Sequence, residues 1–353
     1  MKAIEQIDTN FKVETKIEKD DIKFYDIKSA PFAVYGVFYQ DGKFRRLPES
    51  VASTVNEGVH RLHAHTAGGR IRFVTDSRYV AVHYKTDDAG RMPHFAFSGS
   101  AGFDLYLGFE NEIYLNTFKP PFDVNQGYEA VIELGWEGMK ELTVNMPLYS
   151  GVCELYIGIS DKASIYAPKP YRVEKPIVYY GSSITQGGCA SRPGSCYTSI
   201  VSRHLQANHV NLGFSGSAKA EDEIAEYISG LDMSAFVYDY DHNTPSVEHL
   251  IASHEKLFKK VRERNPELPI VIMSMPRNKA TDVIKLRRDI IKKTYENAVA
   301  AGDENVYFID GSRVLDECEG EGTVDCTHPT DLGFFFMAKA VTKVLSEVKP
   351  FKK

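Results

Sequence analysis

The chain has 353 residues, a net charge of -6 and a pI near 6.0, with 43% hydrophobic and 25% charged residues. That length exceeds one ordinary core and predicts two domains of globular composition. The mild acidity offers no electrostatic footprint for nucleic acid or an anionic membrane, and the apolar runs are strand-sized, far short of a bilayer span. The start, Met1-Lys-Ala-Ile-Glu-Gln-Ile-Asp8, carries charges in place of an apolar signal core, so a cytoplasmic location is expected. The cysteines stand at 153, 189, 196, 318 and 326. Their odd number and the lack of a CxxC pair argue against a disulfide framework or a structural zinc site, and Cys189 and Cys196 are read as free thiols.

Residues 1–167 read as an all-β module. Arg70-Ile-Arg-Phe-Val-Thr75 and Tyr79-Val-Ala-Val-His-Tyr-Lys85 alternate apolar and polar positions around a Asp76-Ser77 turn. Phe103–Gly108, Glu112–Asn116, Lys140–Met146 and Cys153–Ile159 repeat the pattern. Short strands at regular spacing, with no long helical periodicity between them, predict a sandwich or jelly roll. His60, His63 and His65 have a spacing that would put two imidazoles on one strand face. With no acid or cysteine beside them to complete a metal set, they are read as turn and surface histidines. Trp136, in Gly135-Trp-Glu-Gly138, is read as a half-buried loop anchor, with stacking on a sugar as the alternative.

Ala167-Pro-Lys-Pro-Tyr-Arg-Val-Glu-Lys-Pro176 holds three prolines in ten residues. Such a segment suits neither a helix nor an interior strand, so residues 168–176 are expected to join two domains. A join this short and stiff predicts domains packed against each other.

Residues 177–353 alternate between two periods. Strand-like runs at Ile177–Tyr180, His209–Phe214, Ala235–Tyr240, Pro269–Ser274 and Val306–Ile309 are separated by helical patterns. Those helices are expected near 197–205, 221–228, 246–264 and 282–301, with a last one over 331–347. In the third, Leu250, Ile251, His254, Leu257, Phe258 and Val261 share a face. This alternation predicts a parallel sheet covered by helices on both faces. Functional groups in such sheets sit past the strand carboxyl ends. Here those positions hold Ser182 and Ser183, then Ser215 and Gly216, then Asp241, His242 and Asn243, and finally Arg277.

Asp325-Cys-Thr-His328-Pro329 precedes the last helix. A carboxylate three residues from an imidazole can accept its Nδ1–H and leave Nε2 to take a proton from a serine hydroxyl, which is a poor nucleophile without such a base. Attack on a carbonyl creates an oxyanion that needs donors already in place. The candidates are the N–H groups of Ser183 and Gly216 and the side-chain amide of Asn243.

These residues resemble the four sequence blocks of the SGNH (GDSL-type) hydrolases. Gly181-Ser182-Ser183 matches the Gly-Asp-Ser block, Gly216 the second block, Asn243 the third, and Asp325 through Pro329 the Asp-x-x-His-Pro block. The first half resembles the module that precedes the SGNH domain in two-domain esterases, through Gly102-Phe-Asp-Leu-Tyr106. The resemblance implies a flavodoxin-like α/β/α domain behind a β-sandwich. It further implies Ser183 as nucleophile, His328 as base, Asp325 as its orienting partner, and no metal or organic cofactor. The expected reaction is hydrolysis of small acyl esters, O-acetyl groups on sugars or oligosaccharides in particular. Acyl transfer by the same residues and a non-catalytic carbohydrate-binding protein are the alternatives. Ser182 stands where most members carry aspartate, which leaves two adjacent hydroxyls to choose between; alignment of the block favours Ser183. The third block lacks its usual glycine and its following aspartate, so His242 or Asp241 is expected to share the place of Asn243. Ser182, His242, Asp241, Arg277 and Trp136 are the candidate substrate contacts. The oligomeric state is left open, a homo-oligomer included.

Overall fold

A computed structural model describes residues 16–277 and 281–352. The charged start Met1–Asp8 lies outside the described residues. The first half builds strands β1 (Ile22–Asp26), β2 (Ala33–Tyr35), β3 (Phe38–Gln40) and β4 (Lys43–Arg45), then helices α1 (Glu49–Val55) and α2 (Glu57–Leu62). Strands β5 (Arg70–Thr75) and β6 (Tyr79–Lys85) follow, then helix α3 (Phe97–Ser100). The half continues with β7 (Phe103–Leu107), β8 (Ile113–Phe118), β9 (Gly127–Glu133), β10 (Lys140–Asn145), β11 (Glu154–Ser160) and β12 (Ile165–Tyr166). One antiparallel sheet runs β1-β11-β6-β9. The other runs β12-β5-β10-β7-β8, with β2 added on β5. Alternate residues close the sandwich: Ile71, Phe73, Leu105, Leu142 and Val144 from one sheet meet Val80, Val82, Leu155 and Ile157 from the other.

The other face of β5 departs from the expected alternation of buried and solvated positions. Arg70 and Arg72 are as buried as the apolar residues between them. The Arg70 guanidinium donates to Tyr171 Oη, Gly68 O and Asn208 Oδ1, each at 2.7 Å. Arg72 lies between the rings of Phe109 and Tyr171, 3.8 and 4.2 Å from their centroids. What looks like a solvent face is roofed by the second half of the chain, and cation–π contact replaces water there.

Helices α1 and α2 depart from the all-β reading of the first half. Leu47, Ala52, Val59 and Leu62 belong to the core of the second half, in a cluster with Leu212, Phe214 and Ile224. Asn56 caps α2 by accepting the Val59 N–H and also donates to Ser217 O at 2.9 Å, so one side chain ends a local helix and fastens it to a distant loop. His60 therefore stands on a helix and His63 at its C-terminal cap, and neither is on a strand. His63 is buried, and both histidines meet Glu49, which Arg45 also contacts. An acid does complete this group, and the Arg45 guanidinium supplies its positive charge.

The second half builds β13 (Val173–Gly181), α4 (Ser183–Gln186), α5 (Tyr197–Leu205), β14 (Ala207–Gly213), α6 (Asp222–Ser229) and β15 (Ala235–Asp239). It ends with α7 (Val247–Arg264), β16 (Ile270–Met273), α8 (Asp282–Ala300), β17 (Val306–Ile309), α9 (Gly311–Val314) and α10 (Asp331–Leu345). All pairings are parallel, in the order β14-β13-β15-β16-β17, which is the flavodoxin-like arrangement. Ile177, Tyr179 and Val237 point to the face covered by α5 and α10, while Val178, Tyr180, Phe236 and Tyr238 point to the face covered by α6, α7 and α8. On α7, Ile251 is exposed and not part of the buried stripe.

β13 starts inside the proline-rich segment, where no interior strand is expected. Its register shifts between Val173 and Ile177, and Pro176 sits in that break, offering its carbonyl to Ser234 N–H at 2.9 Å. A residue without an N–H costs nothing where the ladder is already interrupted. Arg46 is one of several ties between the two halves, with Arg70 and Asn56. The buried Arg46 guanidinium donates to His65 O, Asn211 O, Gly213 O and Leu62 O at 2.7 to 2.8 Å.

Candidate active site

β13 ends on Gly181, directly beneath α4. A Cβ there would stand 1.9 Å from Asp239 Oδ1 and 2.0 Å from Thr185 Oγ1, so only glycine fits. Ser182 is wholly buried and caps α4, its Oγ accepting the Ile184 N–H at 3.2 Å. Ser183, the first residue of α4, turns its hydroxyl the other way, to 2.9 Å from His328 Nε2. Asp239 ends β15 below the turn, accepting hydrogen bonds from the Thr185 and Tyr197 hydroxyls. Burial pushes its carboxyl up to about 8; Asp241 adds to the shift and the two hydroxyls oppose it.

His328 is carried by a tight loop ahead of α10, closed by Val324 N–H donating to His328 O at 2.8 Å. Asp325 Oδ2 lies 2.8 Å from His328 Nδ1, while Oδ1 accepts the backbone N–H of His328 at 2.7 Å and of Thr327 at 3.1 Å. Desolvation raises the Asp325 carboxyl, but these bonds and the adjacent imidazole outweigh it and hold the group down at about 2. Arg277, expected as a substrate contact, clamps this loop. It donates to Cys326 O at 2.7 and 2.9 Å and to Thr327 Oγ1 at 2.7 Å.

Gly216 follows β14 at φ +68°, in the left-handed region that favours glycine. Among the described residues its N–H meets no protein acceptor, and neither does that of Ser183, a first-turn donor. Asn243 Nδ2 donates one hydrogen to Phe214 O at 2.9 Å, which sets its amide against the Gly216 loop and leaves a second N–H. Gln186 braces the same loop: its Oε1 accepts the Ser215 N–H at 3.0 Å, and its Nε2 donates to Leu148 O at 3.1 Å.

Residues 174–346 match the model of the GDSL-like Lipase/Acylhydrolase family, and residues 22–165 match the model described as the N-terminus of Esterase SGNH hydro-type, GxDLY. The chain belongs to the SGNH (GDSL-type) hydrolases. A solved structure described as a GDSL-like lipase from Bacteroides ovatus is 29% identical, with a TM-score of 0.82 over 92% of this chain and 97% of that one. Two others share the two-domain fold. Salicylyl-acyltransferase SsfX3 from a tetracycline biosynthetic pathway is 20% identical, with a TM-score of 0.76 over 95% of this chain and 100% of that one. A family two carbohydrate esterase from Clostridium thermocellum, in complex with cellohexaose, is 15% identical, with a TM-score of 0.62 over 90% and 98%. No curated protein matches the sequence. No helix among the described residues is long and apolar enough to cross a membrane.

Several candidate contacts of this SGNH hydrolase are engaged elsewhere in the fold than at the Ser183 hydroxyl. Asp241 is sealed in the fold, where its Oδ2 accepts the Met275 N–H at 3.1 Å and burial pushes it up to about 7. The carboxyl braces the segment that follows β16. Trp136 stands on the β9–β10 loop near Lys140, beside the carboxyl end of β5, whereas the amino end of β5, at Arg70, is the one that reaches the second half. It is 41% exposed, a partly covered loop residue at the end of β5 away from the second half. Ser182 is taken up by its cap. His242 does adjoin the site: burial, with Arg277, His328 and Arg287 as positive neighbours, holds its imidazole down to about 3, and its shielded Nε2 has no hydrogen-bond partner.

Three neighbours of the site come from stretches that sequence reasoning did not single out for it. Tyr149 donates its hydroxyl to Ser183 O at 3.1 Å. His94, on the loop between β6 and α3, places its ring 5.4 Å from that of His328. Cys189 is buried at φ +75°, and burial together with the Asp325 charge pushes its thiol up to about 12. His94, Cys189 and His328 bring ligand atoms within 4.8 Å of one another. The only prior signal was the position of Cys189 just past the double serine.

Proposed function

We propose that the protein is a serine esterase that removes small acyl groups, O-acetyl groups on sugars or oligosaccharides in particular, through an acyl-enzyme. The observation that carries this reading is the continuous chain from Ser183 Oγ to His328 Nε2 at 2.9 Å and from His328 Nδ1 to Asp325 Oδ2 at 2.8 Å. Ser183 Oγ attacks the ester carbonyl carbon while its proton passes to Nε2, and Asp325 stabilises the imidazolium. The oxyanion is held by the N–H groups of Ser183 and Gly216 and by the free amide hydrogen of Asn243. Collapse breaks the bond to the alcohol oxygen, which takes the proton from His328. Water then gives a proton to Nε2, attacks the acyl carbon and releases the acid and the serine. The fold shared with the family two carbohydrate esterase, and with an acetyl xylan esterase from Butyrivibrio proteoclasticus, supports the sugar ester as substrate.

The test is turnover of a chromogenic acetyl ester, and then of acetylated oligosaccharides followed by mass, with wild type, Ser183→Ala and Ser182→Ala. Ser183→Ala is expected to fall to background, by about 10⁶ in kcat. Ser182→Ala is expected to keep the chemistry and lose about 1 kcal/mol of stability with the cap. Equal background activity in all three would sink the enzyme reading. Activity kept in Ser183→Ala but lost in Ser182→Ala would move the nucleophile. Ester product formed with an added alcohol, at the expense of free acid, would make the protein an acyltransferase.

A further inference from the structure

We propose that His94, Cys189 and His328 form a binding site for a divalent transition metal of zinc-like chemistry, and that a metal held there silences the protein by occupying His328 Nε2. Two imidazoles and a thiol, with ligand atoms all within 4.8 Å of one another, form a donor set suited to Zn²⁺, Cd²⁺ or Co²⁺ and foreign to Mg²⁺ or Ca²⁺. Bond lengths of about 2.3 Å to sulfur and about 2.0 Å to nitrogen put neighbouring tetrahedral ligands about 3.5 Å apart. The cluster therefore has to contract by about 1 Å. His94 can supply that movement, because it is exposed on a loop, whereas Cys189 is buried and His328 is anchored.

The anchor itself fits a metal ligand. His328 gives its Nδ1 to a carboxylate at 2.8 Å, the arrangement that orients metal-bound histidines and directs Nε2 outward. Gly188 narrows the same side, since a Cβ on it would lie 3.5 Å from His328 Cδ2, the atom next to Nε2. Cys189 follows it directly. On binding, the thiol proton leaves to solvent and the sulfur coordinates as thiolate. No electron changes hands. The Nε2 lone pair that accepts the Ser183 hydroxyl then belongs to the metal, and the hydroxyl loses its base. The binding stands on the donor geometry alone; the loss of activity rests on the proposed triad.

The test uses the full chain, with Co²⁺ as a spectroscopic probe and Zn²⁺ competed against a chromogenic chelator. Wild type is expected to take one equivalent of Co²⁺ with a thiolate charge-transfer band and tetrahedral visible bands. Cys189→Ser is expected to lose the charge-transfer band. His94→Ala is expected to weaken Zn²⁺ binding by at least about tenfold. In the ester assay Zn²⁺ should inhibit wild type and a chelator should restore it, while both variants turn over but resist Zn²⁺. His94 is on the surface, so its variant decides the matter even if Cys189→Ser folds poorly. Absence of the thiolate band in wild type, or Zn²⁺ binding equally tight in wild type and both variants, overturns the site. Inhibition equally strong in all three overturns the mechanism. A wild type that shows the cobalt spectrum but never hydrolyses ester supports the site and refutes the triad instead.

Discussion

Replacing Gly181 with alanine probes how the nucleophile turn is held over the sheet. The added methyl would stand 1.9 Å from Asp239 Oδ1 and 2.0 Å from Thr185 Oγ1. Ordinary contact begins near about 3.5 Å, so the fold must yield about 1.5 Å. Asp239 has no room to retreat: it is 3% exposed and hydrogen-bonded to Tyr197, whose ring packs against Tyr179. The yielding side is therefore Thr185, and with it the four-residue helix that carries Ser183. Overpacking costs about 1–3 kcal/mol. Separating a buried carboxyl from its hydroxyl partner adds about 1–3 kcal/mol. The expected loss is their sum, about 2–6 kcal/mol, read as a lower urea midpoint at unchanged slope. A displacement of about 1 Å at Ser183 Oγ should also lower kcat by about 10². An unchanged midpoint together with unchanged kcat/KM on a chromogenic acetyl ester would refute the claim that the Gly181–Asp239–Thr185 contact sets the serine.

Asp325→Asn leaves an amide facing His328 Nδ1, which favours the tautomer with hydrogen on Nε2, so kcat should fall by about 10³–10⁴ with KM little changed; a fall below tenfold would deny Asp325 its role. The Asp239 carboxyl, raised to about 8 in the fold from an ordinary 3.8, is neutral in the fold while the unfolded chain is ionised. Its contribution is fully present below pH 3.8 and is lost as pH rises towards 8. Urea stability should decline across that window by up to about 1.4 kcal/mol per pH unit for the group, and Asp239→Asn should flatten the decline. A profile identical in the variant would contradict the buried neutral acid. Arg46→Met strips the donor from four backbone carbonyls, and hydrogen bonds to a charged group are worth about 1.5–3 kcal/mol each without full additivity. A thermal midpoint within error of wild type would show that Arg46 does not fasten the two halves.

Local pattern alone carries β5, β6, β7, β8, β10 and β11 of the first half, though not β1 to β4, β9 or β12, together with the alternation of strand and helix after residue 177 and the order of the four blocks. These depend on side-chain period and on residues that sit next to one another, as Asp325 and His328 do. Block alignment favours Ser183 over Ser182, but which hydroxyl faces His328 is visible only in the tertiary structure. Both follow the same strand, and only the turn of α4 sends one hydroxyl into a cap and the other towards His328. The reading of α1 and α2 failed for a related reason. Their apolar positions are few, and what makes them helices is a face offered by α6 and Phe214, more than 150 residues away. Arg70, Arg72 and Arg46 look like surface residues because sequence shows that a side chain is polar but not what covers it. Trp136 and Asp241 look like site residues because sequence places them near strand ends but does not say which way they turn. His94, Cys189 and His328 stand 95 and 139 residues apart in the chain and meet only when the first half packs over the second. Sequence by itself thus determined the elements and the reactive residue types. The packing of the two halves decided which of those residues touch, because contact between distant segments is set by the shape of both surfaces and by neither stretch alone.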